Sequence, residues 1–203
     1  MMRNQTKTEG HLELIMGPMF SGKTSKLIEV YNQYQLCDIT PLVINYYEDT
    51  RYGHVSELYT HSKNVISCVP MKELSSLLNK DILDKYSVIL INEGQFFQDL
   101  YDVVNKLVNT YHKHVYVAGL DGDFKRQGFK EIMKLIPESD TIHKLTALCM
   151  NCKDGTKALF TARLTKEIEQ KVIGVENYRP LCRRCYNLLF DSLPPSLTPS
   201  TPI

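Results

Sequence analysis

The chain has 203 residues and a formal net charge of +1 at pH 7, which suits one domain or one domain with a small appendage. The near-neutral charge gives no support for a nucleic acid or a membrane surface attracted by bulk charge. No run of about 18 apolar residues predicts a membrane-spanning helix, and residues 1–7 lack the apolar stretch of a secretory signal. We therefore expect a cytoplasmic protein whose six cysteines stay reduced.

Short apolar runs alternate with helical patterns over the first 148 residues. In chain order, strands are predicted at 11–16, 42–44, 65–69, 88–91 and 115–118. Helices are predicted from Lys23 onwards, around 74–78 and over 103–111, where the apolar positions are most clearly amphipathic. This alternation predicts an α/β fold, with a parallel sheet that carries helices on both faces.

Residues 17–24 read Gly-Pro-Met-Phe-Ser-Gly-Lys-Thr and match the phosphate-binding loop (P-loop) pattern at every fixed position. A predicted strand ends directly before this segment and a predicted helix begins at Lys23, which is the context that the motif requires. Such a loop turns backbone N–H groups toward phosphate oxygens, while its lysine reaches the β- and γ-phosphates and its threonine binds Mg²⁺. The segment therefore predicts binding of ATP with Mg²⁺ at Thr24. The expected ATP contacts in it are Gly17, Pro18, Met19, Phe20, Ser21, Gly22, Lys23 and Thr24.

A carboxylate, Glu93, follows the predicted strand 88–91. Ligands of parallel α/β sheets bind beyond the carboxyl ends of the strands, so Glu93 is expected near the phosphate loop. There it can accept a proton from an attacking hydroxyl, help to hold Mg²⁺, or only stabilise the start of the next helix. Phosphate-loop enzymes usually have Asp where Asn92 stands, so we expect weaker Mg²⁺ binding or a larger part for Glu93.

Four cysteines form two C-x-x-C pairs, Cys149/Cys152 and Cys182/Cys185. Two such pairs suit a tetrahedral Zn²⁺ ion with a structural role, because four thiolates leave no open coordination position. The alternative is a redox dithiol, which explains one pair but not two. Cys37 and Cys68 are expected to be small buried hydrophobic residues.

These motifs suggest the organisation of the chain. We predict a P-loop (RecA-like) ATP-binding domain over 11–148 and a zinc-ribbon-like subdomain over 149–190. Residues 1–10 and the Pro/Ser/Thr-rich segment 191–203 are predicted to be disordered.

Taken together, the motifs resemble the type II thymidine kinases, a family shared by vertebrates, poxviruses and many bacteria. The resemblance rests on 17–24, Asp49-Thr50-Arg51-Tyr52, Glu93-Gly94-Gln95-Phe96-Phe97, 120–124, 144–149 and the second C-x-x-C pair. These segments occur in the family's order and cover about residues 11–190.

The resemblance implies transfer of the γ-phosphoryl group of ATP to the 5′-hydroxyl of thymidine, with Glu93 as the catalytic base. It also implies a homotetramer and four cysteine zinc ligands. Further implied ATP contacts are Asp49, Thr50, Arg51, Asn92, Gly94 and Gln95. The implied thymidine contacts are Met19, Phe96, Leu120, Phe124, Phe129, Gln170, Lys171, Val172, Ile173, Gly174 and Tyr178. In the family, the segment between the cysteine pairs is a lasso-like loop that closes over thymidine.

The chain departs from the family pattern at Asn92, in the charged residues around Phe124, and in a spacing one residue shorter before Tyr178. Three other functions stay open: a phosphate-loop kinase for a different small hydroxyl compound, a relative that only binds nucleotide, and a nucleic-acid-binding zinc-ribbon ATPase. The last would use the basic residues of the zinc region, which we expect instead to form a solvated face. Those residues are Lys153, Lys157, Arg163, Lys166, Arg179, Arg183 and Arg184.

Overall fold

The computed structural model describes residues 9–49, 56–59, 65–165 and 177–191. The predicted contacts at Thr50, Arg51 and 170–174 lie outside the described residues, as do 1–8 and 192–203 of the two predicted disordered tails. None of the helices in the described part of the chain has the length and apolar character that crossing a bilayer requires.

Twelve strands and five α-helices make up the described residues. The strands are β1 His11–Met16, β2 Leu42–Tyr46, β3 Glu57–Tyr59, β4 Val65–Ser67, β5 Val69–Met71, β6 Val88–Ile91, β7 His114–Gly119, β8 Thr141–Lys144, β9 Ala147–Leu148, β10 Lys157–Ala158, β11 Phe160–Arg163 and β12 Tyr178–Leu181. The α-helices are α1 Lys23–Gln35, α2 Lys80–Lys85, α3 Leu100–Asn109, α4 Lys130–Lys134 and α5 Arg183–Asp191. Short 3₁₀ turns cover Ser75–Leu78, Gly94–Phe96 and Ile136–Glu138.

A six-stranded sheet with the order β5-β2-β6-β7-β1-β8 forms the centre of the fold. Every neighbouring pair in this sheet is parallel, so the predicted parallel α/β sheet is confirmed. Because all six strands run the same way, the carboxyl ends of β1, β2, β6 and β7 lie along one edge. The phosphate loop follows β1 and Glu93 follows β6 at that edge.

Alternating side chains of the buried strands pack into two cores, one on each face of the sheet. Leu14 of β1 belongs to the first core and Ile15 to the second. The first core takes Val104 and Leu107 from α3, while the second takes Leu27 from α1. Each such apolar side chain, once buried, contributes about 1.5–3 kcal/mol to the free energy of unfolding. This explains why the strands are apolar on both faces, as the sequence indicated.

Three predicted features differ from the structure. The single strand predicted at 65–69 is two strands: β4 pairs antiparallel with β3, and β5 joins the edge of the main sheet beside β2. Buried Cys68 lies between them and donates its backbone N–H to the Ser56 carbonyl, which breaks the run. The helix predicted at 74–78 is a 3₁₀ turn. Cys37 is exposed rather than buried, because it follows the end of α1 on the surface, whereas Cys68 is buried as expected.

A third, smaller core lies beside the sheet. It is built from two antiparallel pairs, β9 with β10 and β11 with β12, and from α5. Its buried residues include the cysteines 149, 182 and 185 together with Tyr186 and Phe124. Phe124 comes from the loop after β7, so the third core is packed directly onto the sheet domain.

Candidate active site

The phosphate loop joins β1 to α1 in a backbone conformation that depends on glycine. Gly22 has a φ of 86°, in the left-handed region that favours glycine. A Cβ atom on Gly17 would lie 2.6 Å from the carbonyl oxygen of Leu145, closer than atoms can pack. The buried ammonium group of Lys23 lies back across the loop and donates to the carbonyl oxygen of Pro18 at 2.8 Å. The loop therefore brings a cation, exposed backbone and the helix N terminus to one place.

The Ser21 side chain tests whether a phosphate ligand suits this loop. Its Oγ is buried and has no hydrogen-bond partner among the described residues. A buried hydroxyl without a partner costs about 1–3 kcal/mol, and a phosphate oxygen would accept its proton. Thr24 lies in the first turn of α1, next to Lys23, and is partly exposed. The loop residues thus fit a nucleotide phosphate with its metal ion.

Glu93 is buried, at 6% exposure, in a left-handed backbone conformation with φ 54° and ψ 38°. Its Oε2 accepts a hydrogen bond of 2.6 Å from Nε2 of Gln95. Oε1 of Gln95 accepts the backbone N–H of Leu120 at 2.9 Å, which sets the direction of the Gln95 amide. The carboxylate is therefore held in a defined orientation through two successive hydrogen bonds.

Asn92 takes part in a second buried chain of hydrogen bonds. Its Nδ2 donates to Oδ1 of Asn45 at 2.9 Å, and Nδ2 of Asn45 lies 3.5 Å from Oδ2 of Asp49. Asn45 is the penultimate residue of β2 and only 1% exposed. The missing charge at Asn92 is thus matched by a neutral amide partner. This arrangement connects Asp49, the first residue of the predicted 49–51 segment, to the end of β6.

A cavity of about 330 Å³ opens beside these groups. Phe96 and Phe129, both predicted as pocket walls, line it with ring centroids 6.3 Å apart in an edge-on arrangement. Tyr46, whose ring centroid lies 5.3 Å from that of Phe96, lines the cavity as well and was not predicted. Its position as the last residue of β2, at the same edge as Glu93, is the sequence signal that could have identified it.

Of the other predicted thymidine contacts, the four within the described residues are not among the residues that line this cavity. Phe124 is packed in the third core and Tyr178 begins β12. Leu120 follows β7, and Met19 is buried within the phosphate loop. The Asp123 carboxylate accepts the backbone N–H groups of residues 125 and 127 at 2.8 Å, so its charge stabilises its own turn.

Arg163 is not part of a solvated face, and this expectation was wrong. Its side chain is 4% exposed, with the guanidinium carbon 3.8 Å from the ring centroid of Phe124. Stacking on an aromatic ring, together with a hydrogen bond from Nη2 to the Tyr178 hydroxyl at 2.6 Å, explains its burial. Lys153, Lys157, Arg183 and Arg184 are exposed, as expected, and Lys166 lies outside the described residues.

The four cysteines of the C-x-x-C pairs come together in the third core. Their Sγ atoms all lie within 4.8 Å of one another. Sγ of Cys152 lies 3.8 Å from that of Cys182 and 3.4 Å from that of Cys185. Tetrahedral zinc with Zn–S distances of about 2.3 Å requires sulfur–sulfur distances of about 3.8 Å. The cluster therefore fits a structural zinc ion.

Nitrogen donors form hydrogen bonds to two of the sulfur atoms, and at Cys149 they favour the thiolate. The backbone N–H of Cys182 donates to Sγ of Cys149 at 3.3 Å, and the side-chain amide of Asn151 donates to Sγ of Cys185 at 3.2 Å. Burial raises the pKa of the Cys149 thiol, but backbone N–H donors outweigh burial and lower that pKa to about 6. A thiolate is the form that binds zinc.

Comparison with known proteins agrees with these features. The family model described as "Thymidine kinase" matches residues 10–186. The thymidine kinase of sheeppox virus is 41% identical over 184 residues, which cover 88% of this chain and 98% of the viral protein. Those of raccoon poxvirus and of vaccinia virus strain Ankara are 43% and 42% identical over 178 residues, covering 87% of this chain and 97% of each relative. With a phosphate loop, a buried glutamate and a four-cysteine cluster in one fold, this chain belongs to the thymidine kinase family.

Proposed function

We propose that the protein transfers the γ-phosphoryl group of ATP to the 5′-hydroxyl group of thymidine, giving thymidine monophosphate and ADP. The observation that carries this proposal is the placement of buried Glu93 after β6, two strands from the phosphate loop that follows β1. Adjacent strands are about 4.8 Å apart, so the two strand ends lie about 10 Å apart. A base and a phosphate-binding loop at this separation can hold a hydroxyl group and a triphosphate between them.

The phosphate loop and the start of α1 bind the triphosphate. The backbone N–H groups of residues 20–24 and the Lys23 ammonium supply positive charge, and the buried Ser21 hydroxyl gains an acceptor. Thr24 offers its hydroxyl to Mg²⁺, which when bound neutralises charge on the phosphate oxygens. Asn92, Gly94 and Asp49, which follow the carboxyl ends of β6 and β2 in the chain, belong to the same proposed nucleotide site.

Glu93 acts as the general base. It takes the proton of the 5′-hydroxyl while that oxygen attacks the γ-phosphorus and ADP leaves. Gln95 is predicted as an ATP contact, and its described hydrogen bonds also orient the Glu93 carboxylate and engage the Leu120 backbone N–H. Burial of Glu93 excludes water, which would otherwise compete for the phosphoryl group.

The nucleoside is enclosed by apolar and aromatic side chains. Phe96, Phe129 and Tyr46 provide the wall of the cavity next to Glu93. Phe124 is a further proposed wall of the nucleoside pocket, and Met19, Leu120 and Tyr178 enclose the 5-methyl group of thymine. The methyl group alone is worth only about 1–3 kcal/mol. We therefore expect selection against cytosine to come from polar groups that would be left without a partner at N3 and the exocyclic position.

A kinase assay with thymidine and deoxycytidine tests this function. The wild-type protein is expected to phosphorylate thymidine in preference to deoxycytidine. Glu93→Gln should lower kcat about 10²–10⁴-fold while thymidine still binds. Glu138→Gln changes an exposed glutamate, serves as the control and should leave kcat unchanged. Equal turnover of both nucleosides would contradict the substrate assignment. Full activity of Glu93→Gln would contradict the base.

The same proposal includes four further properties: the zinc ion, the homotetramer, the cytoplasmic location and the domain boundaries at 148 and 190. The cysteine cluster supports zinc, and metal analysis of the purified protein would measure it. The tetramer rests on the family resemblance and is checked by light scattering. A nucleic-acid-dependent ATPase is disfavoured because the net charge is only +1.

A further inference from the structure

Arg163 is a buried cation at a place where the proposed reaction requires none. Its side chain is 4% exposed, and it lies directly opposite Tyr178 in the antiparallel pair of β11 and β12. Long charged side chains are rarely buried to this degree unless specific contacts compensate for the lost hydration. The contacts of Arg163 therefore indicate what this side chain is for.

Those contacts join two residues from distant parts of the chain. The guanidinium carbon lies 3.8 Å from the ring centroid of Phe124 and 5.1 Å from that of Tyr178. Nη2 donates a hydrogen bond of 2.6 Å to the Tyr178 hydroxyl. A planar guanidinium can stack on one ring and donate to the hydroxyl of another at the same time, which a lysine ammonium cannot do.

We propose that Arg163 is a positioning residue for the nucleoside, which fixes the Phe124 and Tyr178 rings in the orientation that receives the thymine base. The inference rests on the proposed function, since it takes both rings as parts of the thymidine pocket. Arg163 acts through these two rings and has no role in phosphoryl transfer itself. Its removal should therefore weaken thymidine binding and leave the ATP site unchanged.

Arg163 also has a simpler alternative role, which is purely structural. Phe124 belongs to the third core, so Arg163 can serve only to stabilise that core. A purely structural role predicts a loss of folded protein or of bound zinc, with the surviving enzyme showing normal KM values for both substrates. A positioning role predicts a selective rise in the KM for thymidine in protein that is folded and zinc-loaded.

Steady-state kinetics of the full-length chain separate the two roles. For Arg163→Gln we expect the KM for thymidine to rise about tenfold, while kcat and the KM for ATP change less than about twofold. Arg163→Lys keeps the charge but loses the planar fork, so it should recover only part of the loss. Arg179→Gln is the matched control, because Arg179 neighbours Tyr178 on β12 and its side chain points to the opposite face of the strand.

A double-mutant cycle with Tyr178→Phe tests whether Arg163 changes the KM for thymidine through the Tyr178 side chain. Tyr178→Phe keeps the ring and removes the hydrogen-bond acceptor, so part of the Arg163 effect should disappear in that background. We expect Arg163→Gln to raise the KM for thymidine only about threefold there, instead of about tenfold. Fully multiplicative effects of the two substitutions would show that Arg163 does not act through Tyr178 and would overturn the inference.

Further outcomes are equally decisive. An unchanged KM for thymidine in folded Arg163→Gln, or equal changes in the KM values for thymidine and ATP, would overturn the inference while leaving the proposed function intact. Wild-type protein that fails to phosphorylate thymidine would overturn the proposed function itself. If Arg163→Gln does not fold, thymidine binding to Arg163→Lys, measured by calorimetry without ATP, decides the question. Wild-type affinity in that variant would contradict the proposal.

Discussion

The side-chain hydroxyl of Thr161 accepts a hydrogen bond of 2.9 Å from the backbone N–H of Met19, although the two residues are 142 positions apart in the chain. Met19 lies in the phosphate loop and Thr161 in β11, so this bond connects the nucleotide-binding loop to the cysteine-containing core. Both residues are buried, and water cannot replace the bond if it is lost. The position of the loop therefore depends on the smaller core.

Thr161→Val should expose this dependence. Valine has nearly the same shape but no acceptor, so the Met19 N–H would be left buried without a partner, at a cost of about 1–3 kcal/mol in the free energy of unfolding. We also expect the KM for ATP to rise. Urea unfolding and steady-state kinetics measure the two effects, with Thr161→Ser as the control that keeps the hydroxyl. A valine variant as stable as the serine variant would show that the bond contributes nothing.

Removal of the proposed zinc ion should affect the same regions. Because the proposed zinc ion would hold together the third core, which contains Phe124, its removal by a chelator is expected to lower the melting temperature and to abolish thymidine phosphorylation even after Mg²⁺ is restored. Cys152→Ser should behave like chelated protein, whereas exposed Cys37→Ser should behave like wild type. Differential scanning calorimetry with metal analysis checks this. Full activity in metal-free protein would exclude a structural zinc ion.

Asn92→Asp should lower the stability of the fold and raise the affinity for Mg²⁺. The new carboxylate would face Oδ1 of Asn45 unless that amide rotates, and rotation would turn an oxygen toward Asp49. We therefore expect a loss of about 1–3 kcal/mol in the free energy of unfolding, together with a lower Mg²⁺ concentration for half-maximal activity. Asn92→Ala, which lacks both the amide and the charge, is the control. An unchanged Mg²⁺ requirement would show that residue 92 is remote from the metal.

His114 gives the fold a pH dependence near neutrality. Burial lowers the pKa of His114 below 6.5, as does the nearby His11, while Asp140 has a smaller opposite effect. The Tyr34 hydroxyl lies 3.0 Å from Nδ1 of His114 and 2.9 Å from the Tyr116 hydroxyl, and a hydrogen bond with the Glu9 backbone also opposes the lowering of the His114 pKa. The unfolded chain binds a proton at this histidine at higher pH than the folded chain does. The contribution of neutral His114 to the free energy of unfolding is therefore complete above about pH 6.5 and is lost as the pH falls toward the folded pKa.

The measurement is urea unfolding at about pH 7.5 and about pH 5.5. Wild-type protein is expected to lose more stability between these values than His114→Gln, since glutamine does not titrate. Exposed His112→Asn should lose as much as wild type. An equal loss in His114→Gln and wild type would assign the pH dependence to other groups.

The sequence was sufficient for the features that depend on local pattern. Residues 88–91 are apolar at every position, as a strand buried on both faces must be, and 17–24 fix the phosphate loop by glycine and lysine spacing alone. The pairing of the two C-x-x-C segments also followed from spacing. In these cases, one or two short segments of the chain carry the whole signal.

Features that depend on distant neighbours could not be predicted in the same way. The edge strand β8 has three exposed residues among its four, so it lacks the apolar run of a strand, and only its pairing with β1 defines it. Arg163 has the composition of a surface residue, and only the approach of Phe124 and Tyr178 explains its burial. Likewise, nothing near Asn92 in the chain indicates Asn45 as its partner.

The left-handed backbone of Glu93 has a consequence for how this enzyme can evolve. A glutamate pays about 1–3 kcal/mol to adopt that conformation, and a glycine at the same position would not. The same substitution would also remove the carboxylate that accepts the hydrogen bond from Nε2 of buried Gln95. Glu93→Gly should therefore turn over no substrate even though its backbone is relaxed, so selection for turnover keeps at this position a residue whose backbone conformation glycine would adopt without strain.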